Sequence, residues 1–175
     1  YGPPMSWKTT IHFLFMRTEG VFGTPLMAMS SYIVLFIIFG SILAVSGGGK
    51  KFMDIAFSLT GNKRGGPAGT AVVASALFGT ISGSSVANVV TTGSFTIPLM
   101  KERGYSPTFA AAVEAIASSG GQLMPPIMGA SAFIIAEFLG IPYIDVVKAA
   151  VIPAILYFYS VFAMIILESF KLGID

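Results

Sequence analysis

The stretch GTISGSSVANVVTTGSFTIPLMK, residues 79–101, decides the fold because it places polar and flexible residues inside a long apolar segment. That segment runs from Gly65 to Met100 without a single Asp, Glu, Lys or Arg. Basic residues flank it on both sides: Lys63, Arg64, Lys101 and Arg103. Because Lys and Arg accumulate in cytoplasmic loops, both ends of the segment are predicted to lie on the same, cytoplasmic side of a membrane.

The polar centre divides this segment into two helical arms. Each arm has about 16 residues, or roughly 24 Å at 1.5 Å per residue, which is less than the roughly 30 Å of a bilayer core. The sequence therefore predicts a re-entrant helical hairpin over residues 65–100, with its tip at residues 82–85.

The composition is typical of a membrane protein. Hydrophobic residues make up 54% of the chain, charged residues make up 10%, and the mean hydropathy is +0.82. Soluble domains carry about 25% charged residues, so a free-standing cytosolic enzyme and a disordered or nucleic-acid-binding tail are excluded. The absence of Cys excludes disulfides, thiolate metal sites and Cys nucleophiles, and the net charge of +2 is too small to indicate a polyanionic partner. We predict an all-α, multi-pass integral membrane protein.

The remaining segments follow from the same pattern. A second interruption, SSGGQ at 118–122 followed by Pro125 and Pro126, divides another apolar segment into half-helices of about 107–119 and 125–139. The predicted organisation is a connecting or interfacial segment (1–24), a transmembrane helix with an interfacial helix (25–64), the re-entrant hairpin (65–100), a broken transmembrane helix (101–140) and a transmembrane helix (141–175). We interpret the chain, which begins at Tyr1 without a signal-peptide pattern, as a piece of a longer polypeptide.

Two consecutive helix breaks indicate a transport site. Unpaired backbone groups are tolerated at membrane depth only where they line a protein or water cavity. The C-terminal end of a half-helix offers carbonyls to a cation, and the N-terminal end offers N–H groups to a carboxylate. Neutral oxygens without dense carboxylates favour a monovalent cation such as Na⁺ over Ca²⁺ or Mg²⁺.

The candidate residues follow from these helix ends. Ser84 or Ser85 is predicted to cap the second arm, and Pro125 to begin the second half of the broken helix. The predicted ion-binding residues are Ser82, Gly83, Ser84, Ser85, Ser118, Ser119, Gly120 and Gly121. The predicted substrate-binding residues are Ser85, Asn88, Thr92, Gln122, Pro125 and Pro126.

Glu114 is predicted to be an intramembrane acidic residue with a functional role, since ionisable groups at that depth are usually functional. The alternative for Glu114 is a structural hydrogen bond to a neighbouring helix. Glu137 is predicted to be a snorkelling or capping group near the membrane surface. His12 has no partner at metal-ligand spacing and is predicted to be interfacial.

Other functions were weighed against transport. Gly- and Ser-rich breaks also occur where membrane helices only pack closely. The Ser82–Ser84 region lacks the spacing of a nucleophile elbow, which argues against a serine hydrolase. An ion channel also uses re-entrant loops. A stand-alone Na⁺- or H⁺-coupled dicarboxylate carrier and, less favoured, a channel therefore stay open as alternatives.

The two interruptions resemble a known family. Residues 79–88 (GTISGSSVAN) and 92–101 (TGSFTIPLMK) resemble the hairpin of the large membrane subunit of TRAP transporters. Residues 113–115 (VEA), 118–129 (SSGGQLMPPIMG) and 136–137 (AE) resemble the broken helix that follows it. The sequences of these motifs, together with EGVFG at 19–23 and GGPA at 65–68, are most similar to those of the TAXI branch, in which small and large membrane subunits are usually fused.

The resemblance implies a Na⁺-coupled, elevator-type importer without a cofactor, located in the cytoplasmic (inner) membrane of a bacterium or archaeon. It implies that substrate, typically a small organic acid, is delivered by an extracytoplasmic solute-binding protein. The family fold implies two inverted repeats, each with a hairpin and a broken helix. This chain would hold the first pair, with small-subunit helices before Tyr1 and the second repeat after Asp175.

Overall fold

The computed structural model describes residues 6–17, 20–23, 26–27, 30, 34–61 and 65–174. The described residues form eight α-helices in chain order. They are α1 (Trp7–Met16), α2 (Val34–Val45), α3 (Gly48–Thr60), α4 (Gly66–Ser82), α5 (Ser85–Glu102), α6 (Pro107–Gly121), α7 (Ala130–Leu139) and α8 (Tyr143–Leu172). The prediction of an all-helical architecture is confirmed for this part of the chain.

Local sequence sets the boundaries of the central helices. Pro67 stands in the first turn of α4, where a missing N–H has no consequence. Gly83 ends α4 in the left-handed conformation with φ of 58°, and its N–H donates to the Gly79 carbonyl. Ser84 then caps α5 by accepting a hydrogen bond from the Ala87 N–H at 3.3 Å, as predicted. Helix α4 thus ends and α5 begins at the predicted tip.

Helix α4 is the centre of the fold, since it packs against α3, α5, α6 and α8. Its buried residues are mostly small, and they meet small residues of α6 and larger ones of α8. The core contains Ala68, Ala71, Val72, Ala76, Met100, Tyr105, Ala110, Val113, Ala117, Phe158, Val161 and Ile165. Small side chains allow the helix axes to approach closely, as is usual between membrane helices.

The outer surface is apolar and the interior contains polar groups. Large side chains such as Val86, Phe95 and Ile152 are more than half exposed. Fully buried side chains include Thr70, Ser75, Asn88, Thr92, Thr96, Glu114, Ser118 and Ser169. Water-soluble proteins rarely expose large apolar side chains over extended surfaces, because contact with water is unfavourable for them.

Among the described helices, α8 is the one that meets both the length and the hydropathy expected of a membrane span; it has 30 residues, and an 18-residue stretch within it has a mean hydropathy of 2.3. It lies within residues 141–175, for which a transmembrane helix is predicted. The segment predicted to hold a transmembrane helix and an interfacial helix, residues 25–64, includes residues outside the described part of the chain, among them Lys63 and Arg64. The predicted bilayer placement of each segment stays a prediction.

The second half of the broken helix begins later than predicted. Helix α6 ends at Gly121, and α7 starts at Ala130, so Pro125 lies in the connecting segment and does not begin a helix. The reason is that a proline disfavours helical geometry in the residue before it. Pro126 therefore disfavours helical geometry at Pro125, and residues 122–129 form a non-helical connection.

Candidate functional site

Three chain segments meet at the two breaks. They are the end of α4, the start of α5 and the connecting segment 122–129 between α6 and α7. The Ile127 N–H donates to the Thr80 carbonyl at 3.2 Å, and the Gly129 N–H donates to the Gln122 carbonyl at 2.8 Å. A Cβ on Gly83 would lie 2.3 Å from the Met128 carbonyl oxygen, so only glycine allows this contact.

A cavity of about 370 Å³ opens between these segments. Its lining is mixed, with hydroxyls and backbone from the breaks on one side and apolar side chains on the other. It is formed by Ile37, Ser82, Gly83, Ser84, Ser85, Val86, Gln122, Ile127, Met128, Ala130, Ser131 and Phe133. A cavity of this size and mixture is typical of sites for small molecules.

Ser82 has a special position in this cavity. Its hydroxyl oxygen is buried and has no hydrogen-bond partner among the described residues. Buried hydroxyls are almost always paired, and an unpaired one costs about 1–3 kcal/mol. The Ser84 hydroxyl, in contrast, is already engaged as the α5 cap. Of these two hydroxyls, that of Ser82 is therefore the one without a partner in the described part of the chain.

The helix ends give the cavity its electrostatic character. The last turn of α4 presents carbonyl oxygens and partial negative charge, while the first turn of α5 presents N–H groups and partial positive charge. The described residues contain no group of three or more His, Cys, Asp or Glu side chains that could hold a metal ion. Neutral oxygens suit a monovalent cation, and the α5 N-terminus suits a carboxylate.

A second polar feature, which we call the Glu114 node, lies deeper between α4, α5 and α6. Glu114 is fully buried, and its carboxylate accepts hydrogen bonds from four hydroxyls on three helices. Oε1 accepts from Ser75 at 3.3 Å, from Ser118 at 3.1 Å and from Thr92. Oε2 accepts from Thr96 at 2.5 Å. These are hydrogen bonds to neighbouring helices, as in the structural alternative for Glu114, while its functional role stays a prediction.

The node continues towards the breaks through Asn88. The Asn88 side-chain amide donates to the Ser75 carbonyl at 2.8 Å. Beside it, α4 and α6 cross so closely that a Cβ on Gly79 would lie 2.3 Å from the Gly121 Cα. A Cβ on Gly121 would lie 2.8 Å from the Asn88 side-chain nitrogen. Two glycines thus make room for a polar contact between three helices.

The structure brings together some of the predicted site residues and separates others. Ser82, Gly83, Ser84, Ser85 and Gln122 line the cavity. Asn88, Thr92 and Ser118 are fully buried in or beside the node. Ser119 is exposed on another face, where it lies near Val86 and Val90.

The remaining predicted residues lie close to the cavity without lining it. Gly121 packs on Gly79, and a Cβ on Gly120 would lie 2.2 Å from the Tyr157 ring. Pro125 and Pro126 belong to the connecting segment, where the Pro126 carbonyl accepts a hydrogen bond from the Tyr143 hydroxyl at 3.1 Å.

Sequence reasoning missed residues in both features. Met128 and Ser131 line the cavity, and Ser75 and Thr96 belong to the node. The spacing of Thr92 and Thr96, one helical turn apart and in register with Asn88, is a signal that could have revealed the buried polar face of α5.

Comparison with known proteins gives consistent results. Residues 5–175 match the family described as "Tripartite ATP-independent periplasmic transporter, DctM component". The chain is 32% identical over 136 residues to the C4-dicarboxylate TRAP transporter large permease protein DctM of Rhodobacter capsulatus, covering 71% of this chain and 31% of that protein. It is 40% identical over 94 residues to the protein of the same name from Vibrio cholerae, covering 54% and 21%.

A further relative is the isethionate TRAP transporter permease protein DctMQ of Oleidesulfovibrio alaskensis, 37% identical over 102 residues, with 58% of this chain and 15% of that protein covered. The aligned region spans less than a third of the length of these curated relatives. No solved structure gives a significant match.

Proposed function

We propose, from the premise that this chain belongs to the DctM component family of tripartite ATP-independent periplasmic (TRAP) transporters, that it forms part of the transport path of a Na⁺-coupled importer of small organic acids. The family is membrane-integral, and the relatives named above are described as permeases. The names of those relatives include C4-dicarboxylates and isethionate, which are small organic anions.

The observation that supports this proposal best is the cavity between the two breaks, with the unpaired Ser82 hydroxyl inside it. Broken helices that meet at one cavity are the arrangement by which secondary transporters bind ions and substrate near the middle of the membrane. Close packing alone, which was the competing interpretation of the breaks, leaves no reason for an unpaired hydroxyl beside a cavity.

We assign the Na⁺ to the α4 side of the cavity. The Ser82 hydroxyl and the carbonyls of the helix end at Gly83 would provide oxygen ligands. The carboxylate of the substrate would lie at the α5 N-terminus, near Ser85 and Gln122. Cation and anion would then occupy neighbouring positions, so that each favours the binding of the other.

The complete transporter would contain further parts. We propose an extracytoplasmic solute-binding protein, small-subunit helices fused upstream as in TAXI-type permeases, and a second inverted repeat downstream. Residues 65–100 would be re-entrant, and the assembly would cross the inner membrane several times in an elevator-type cycle. The proposal of further parts is supported by the short share of its relatives' length that the chain spans.

The proposal is tested with the complete parent permease in proteoliposomes, using radiolabelled C4-dicarboxylate and isethionate as probes. Uptake is measured with an inward Na⁺ gradient or none, and with or without the cognate solute-binding protein. We expect uptake that requires both. Uptake driven by Na⁺ without the binding protein would support a stand-alone carrier, and flux that is independent of any gradient would overturn coupling in favour of a channel.

A further inference from the structure

We propose that Glu114 is a positioning residue that fixes the three helix ends around the cavity relative to one another. This inference rests on the proposed function for its transport readout, while its structural readout is independent. Glu114 itself does not line the cavity, so its effect on a bound ion would be transmitted through α4, α5 and α6.

The first argument is the depth of the node. Ser75 precedes the α4 end at Ser82 by seven residues. Thr92 follows the α5 start at Ser85 by the same number, and Glu114 precedes the α6 end at Gly121 by the same number. Seven helical residues span about 10 Å. The node therefore joins the three helices two turns below the three ends that form the site.

The second argument is the completeness of the hydrogen bonding. All four hydroxyls lie within hydrogen-bond distance of the carboxylate, so protein oxygens occupy its acceptor positions. Removing the carboxylate would leave these buried hydroxyls without their shared acceptor, which is more disruptive than the loss of an exposed bond. The node thereby holds three helices in one relative position.

The third argument is that no cation among the described residues forms an ion pair with Glu114. Within α4, α5 and α6, the only charged residues besides Glu114 are Lys101 and Glu102, at the far end of α5. The ion pairs formed by described residues, Lys148 with Asp145 and Lys171 with Glu168, lie on exposed parts of α8. The geometry thus points to hydrogen bonding, and not to an ion pair, as the means by which Glu114 acts.

The fourth argument is the continuity between the node and the site. The backbone carbonyl of Ser75, a node residue, accepts a hydrogen bond from the Asn88 side-chain amide at 2.8 Å. The Asn88 N–H donates to the carbonyl of Ser84, the α5 cap, at 3.0 Å. Asn88 also lies against Gly121 at the α6 end. A displacement of the node would therefore move the α5 cap and the α6 end together.

An isosteric amide can preserve this arrangement. The Thr96 hydroxyl has an alternative acceptor in the Thr92 carbonyl at 3.0 Å. In E114Q the amide NH₂ could then donate to the Thr96 oxygen, while the amide oxygen keeps the position of Oε1. E114A removes both positions. The two variants therefore separate hydrogen-bond geometry from charge.

The experiment measures Na⁺-dependent uptake of radiolabelled C4-dicarboxylate by the parent permease in proteoliposomes. We expect E114Q to keep the Na⁺ concentration for half-maximal uptake close to that of the wild type. E114A is expected to raise this concentration about tenfold, as for residues that orient metal ligands, with a smaller change in the maximal rate. E137A is the matched control, because Glu137 is an exposed acidic residue on α7.

A second readout does not require transport. The chain has no Cys of its own, so the pair T80C/I127C reports the contact across the breaks by disulfide formation in a parent otherwise free of Cys. We expect E114Q to retain the cross-linking yield and E114A to lower it. If E114A does not fold, T96V removes one donor to the carboxylate, and a smaller increase in half-saturating Na⁺ is expected.

Two outcomes would overturn the proposal. Loss of Na⁺-dependent uptake in E114Q with an unchanged cross-linking yield would mean that the charge of Glu114 is required and its hydrogen bonds are not sufficient. Wild-type behaviour of E114A in both readouts would remove Glu114 from the site. A wild-type permease without Na⁺-dependent uptake would instead refute the proposed function, and the cross-linking yields would still test the positioning role.

Discussion

At the scale of single residues, Ser82 and Ser84 show how neighbouring hydroxyls acquire different tasks. The Ser84 hydroxyl satisfies an N–H at the start of α5. The Ser82 hydroxyl, two residues earlier, is buried without a partner among the described residues. The two hydroxyls are equivalent in chemistry, so the helix boundary between them decides which one is engaged as a cap.

The substitution S82A should weaken ion binding without weakening the fold. We expect the Na⁺ concentration for half-maximal uptake to rise several-fold, because one oxygen ligand is lost. Thermal stability without Na⁺ should stay the same or increase slightly, since the hydroxyl makes no hydrogen bond to another described residue. Na⁺ titration of uptake and thermal unfolding of the purified parent permease measure the two effects.

The control for this substitution is S94A. Ser94 is exposed on α5, and its hydroxyl donates to the Thr91 carbonyl at 3.1 Å. We expect S94A to behave as the wild type in uptake. An S82A variant with unaltered Na⁺ dependence would remove Ser82 from the ion site.

Some roles of single residues could be predicted from the sequence and others could not. Ser84 as a cap followed from residue type next to a glycine, which is local information. Asn88 and Thr92 were predicted to bind substrate because they follow the break on α5. The structure places them at the node, because the face of α5 that carries them packs against α6, and the sequence alone does not define that partner.

At the scale of helices, the short connection between α4 and α5 is the critical element. Gly83 and Ser84 connect the two helices, and Ser85 and Val86 in the first turn of α5 line the cavity. Substituting a capping Ser by Ala typically costs about 1 kcal/mol. The cap therefore contributes both to the stability of α5 and to the orientation of its positive end.

The variants S84A and S84D should separate these two contributions. S84A is expected to lower the free energy of unfolding by about 1 kcal/mol, and S84D should restore it because Asp is an equally good cap. S84D also places a negative charge where the substrate carboxylate is proposed to bind, so we expect it to lose uptake. Thermal unfolding and uptake of the parent permease are compared.

The placement of the substrate carboxylate at the α5 N-terminus would be contradicted if S84D supported uptake as well as stability. In that case the α5 N-terminus would not be the anion-binding position, and the substrate would have to bind elsewhere in the cavity. A failure of S84D to restore stability would mean that the Ser84 hydroxyl does more than cap the helix.

The connection between α6 and α7 was harder to predict than the tip of the α4–α5 pair. Both breaks were located correctly from Gly, Ser and Pro residues. The length of the second break was wrong, because Pro125 was treated as a helix start when the proline after it prevents that role. Its fixation by the Tyr143 hydroxyl of α8 is a long-range contact, which local sequence does not contain.

At the scale of the whole molecule, charge and hydropathy predicted the class of the protein but not its internal packing. An apolar surface around buried polar side chains follows from the composition. The convergence of α4, α5 and α6 on Glu114 depends on which faces meet. That information lies in tertiary contacts among helices that are separate in the sequence.

The predicted topology can be tested by cysteine labelling, since the chain has no Cys. L59C lies before α4, E102C at the end of α5 and D145C at the start of α8, and all three positions are exposed. In right-side-out vesicles, we expect an impermeant maleimide to label D145C directly, and L59C and E102C only after permeabilisation. This pattern follows if the α4–α5 pair enters and leaves on one side.

Labelling of L59C and E102C from opposite sides would show that the α4–α5 pair crosses the membrane an odd number of times, which would refute the re-entrant hairpin. Labelling of D145C only after permeabilisation would reverse the orientation of α8 while leaving the hairpin prediction untouched.

The small residues of α4 have a consequence for how this protein can change over evolutionary time. Most of its buried positions are Gly, Ala, Ser or Thr, so nearly every replacement there adds volume. Few smaller side chains are available for such sites, and we expect an enlargement on α4 to be tolerated only with a reduction on α6 or α8. Among related sequences, substitutions at buried positions of α4 should therefore occur in pairs with substitutions on the facing helix, and otherwise both positions should stay unchanged.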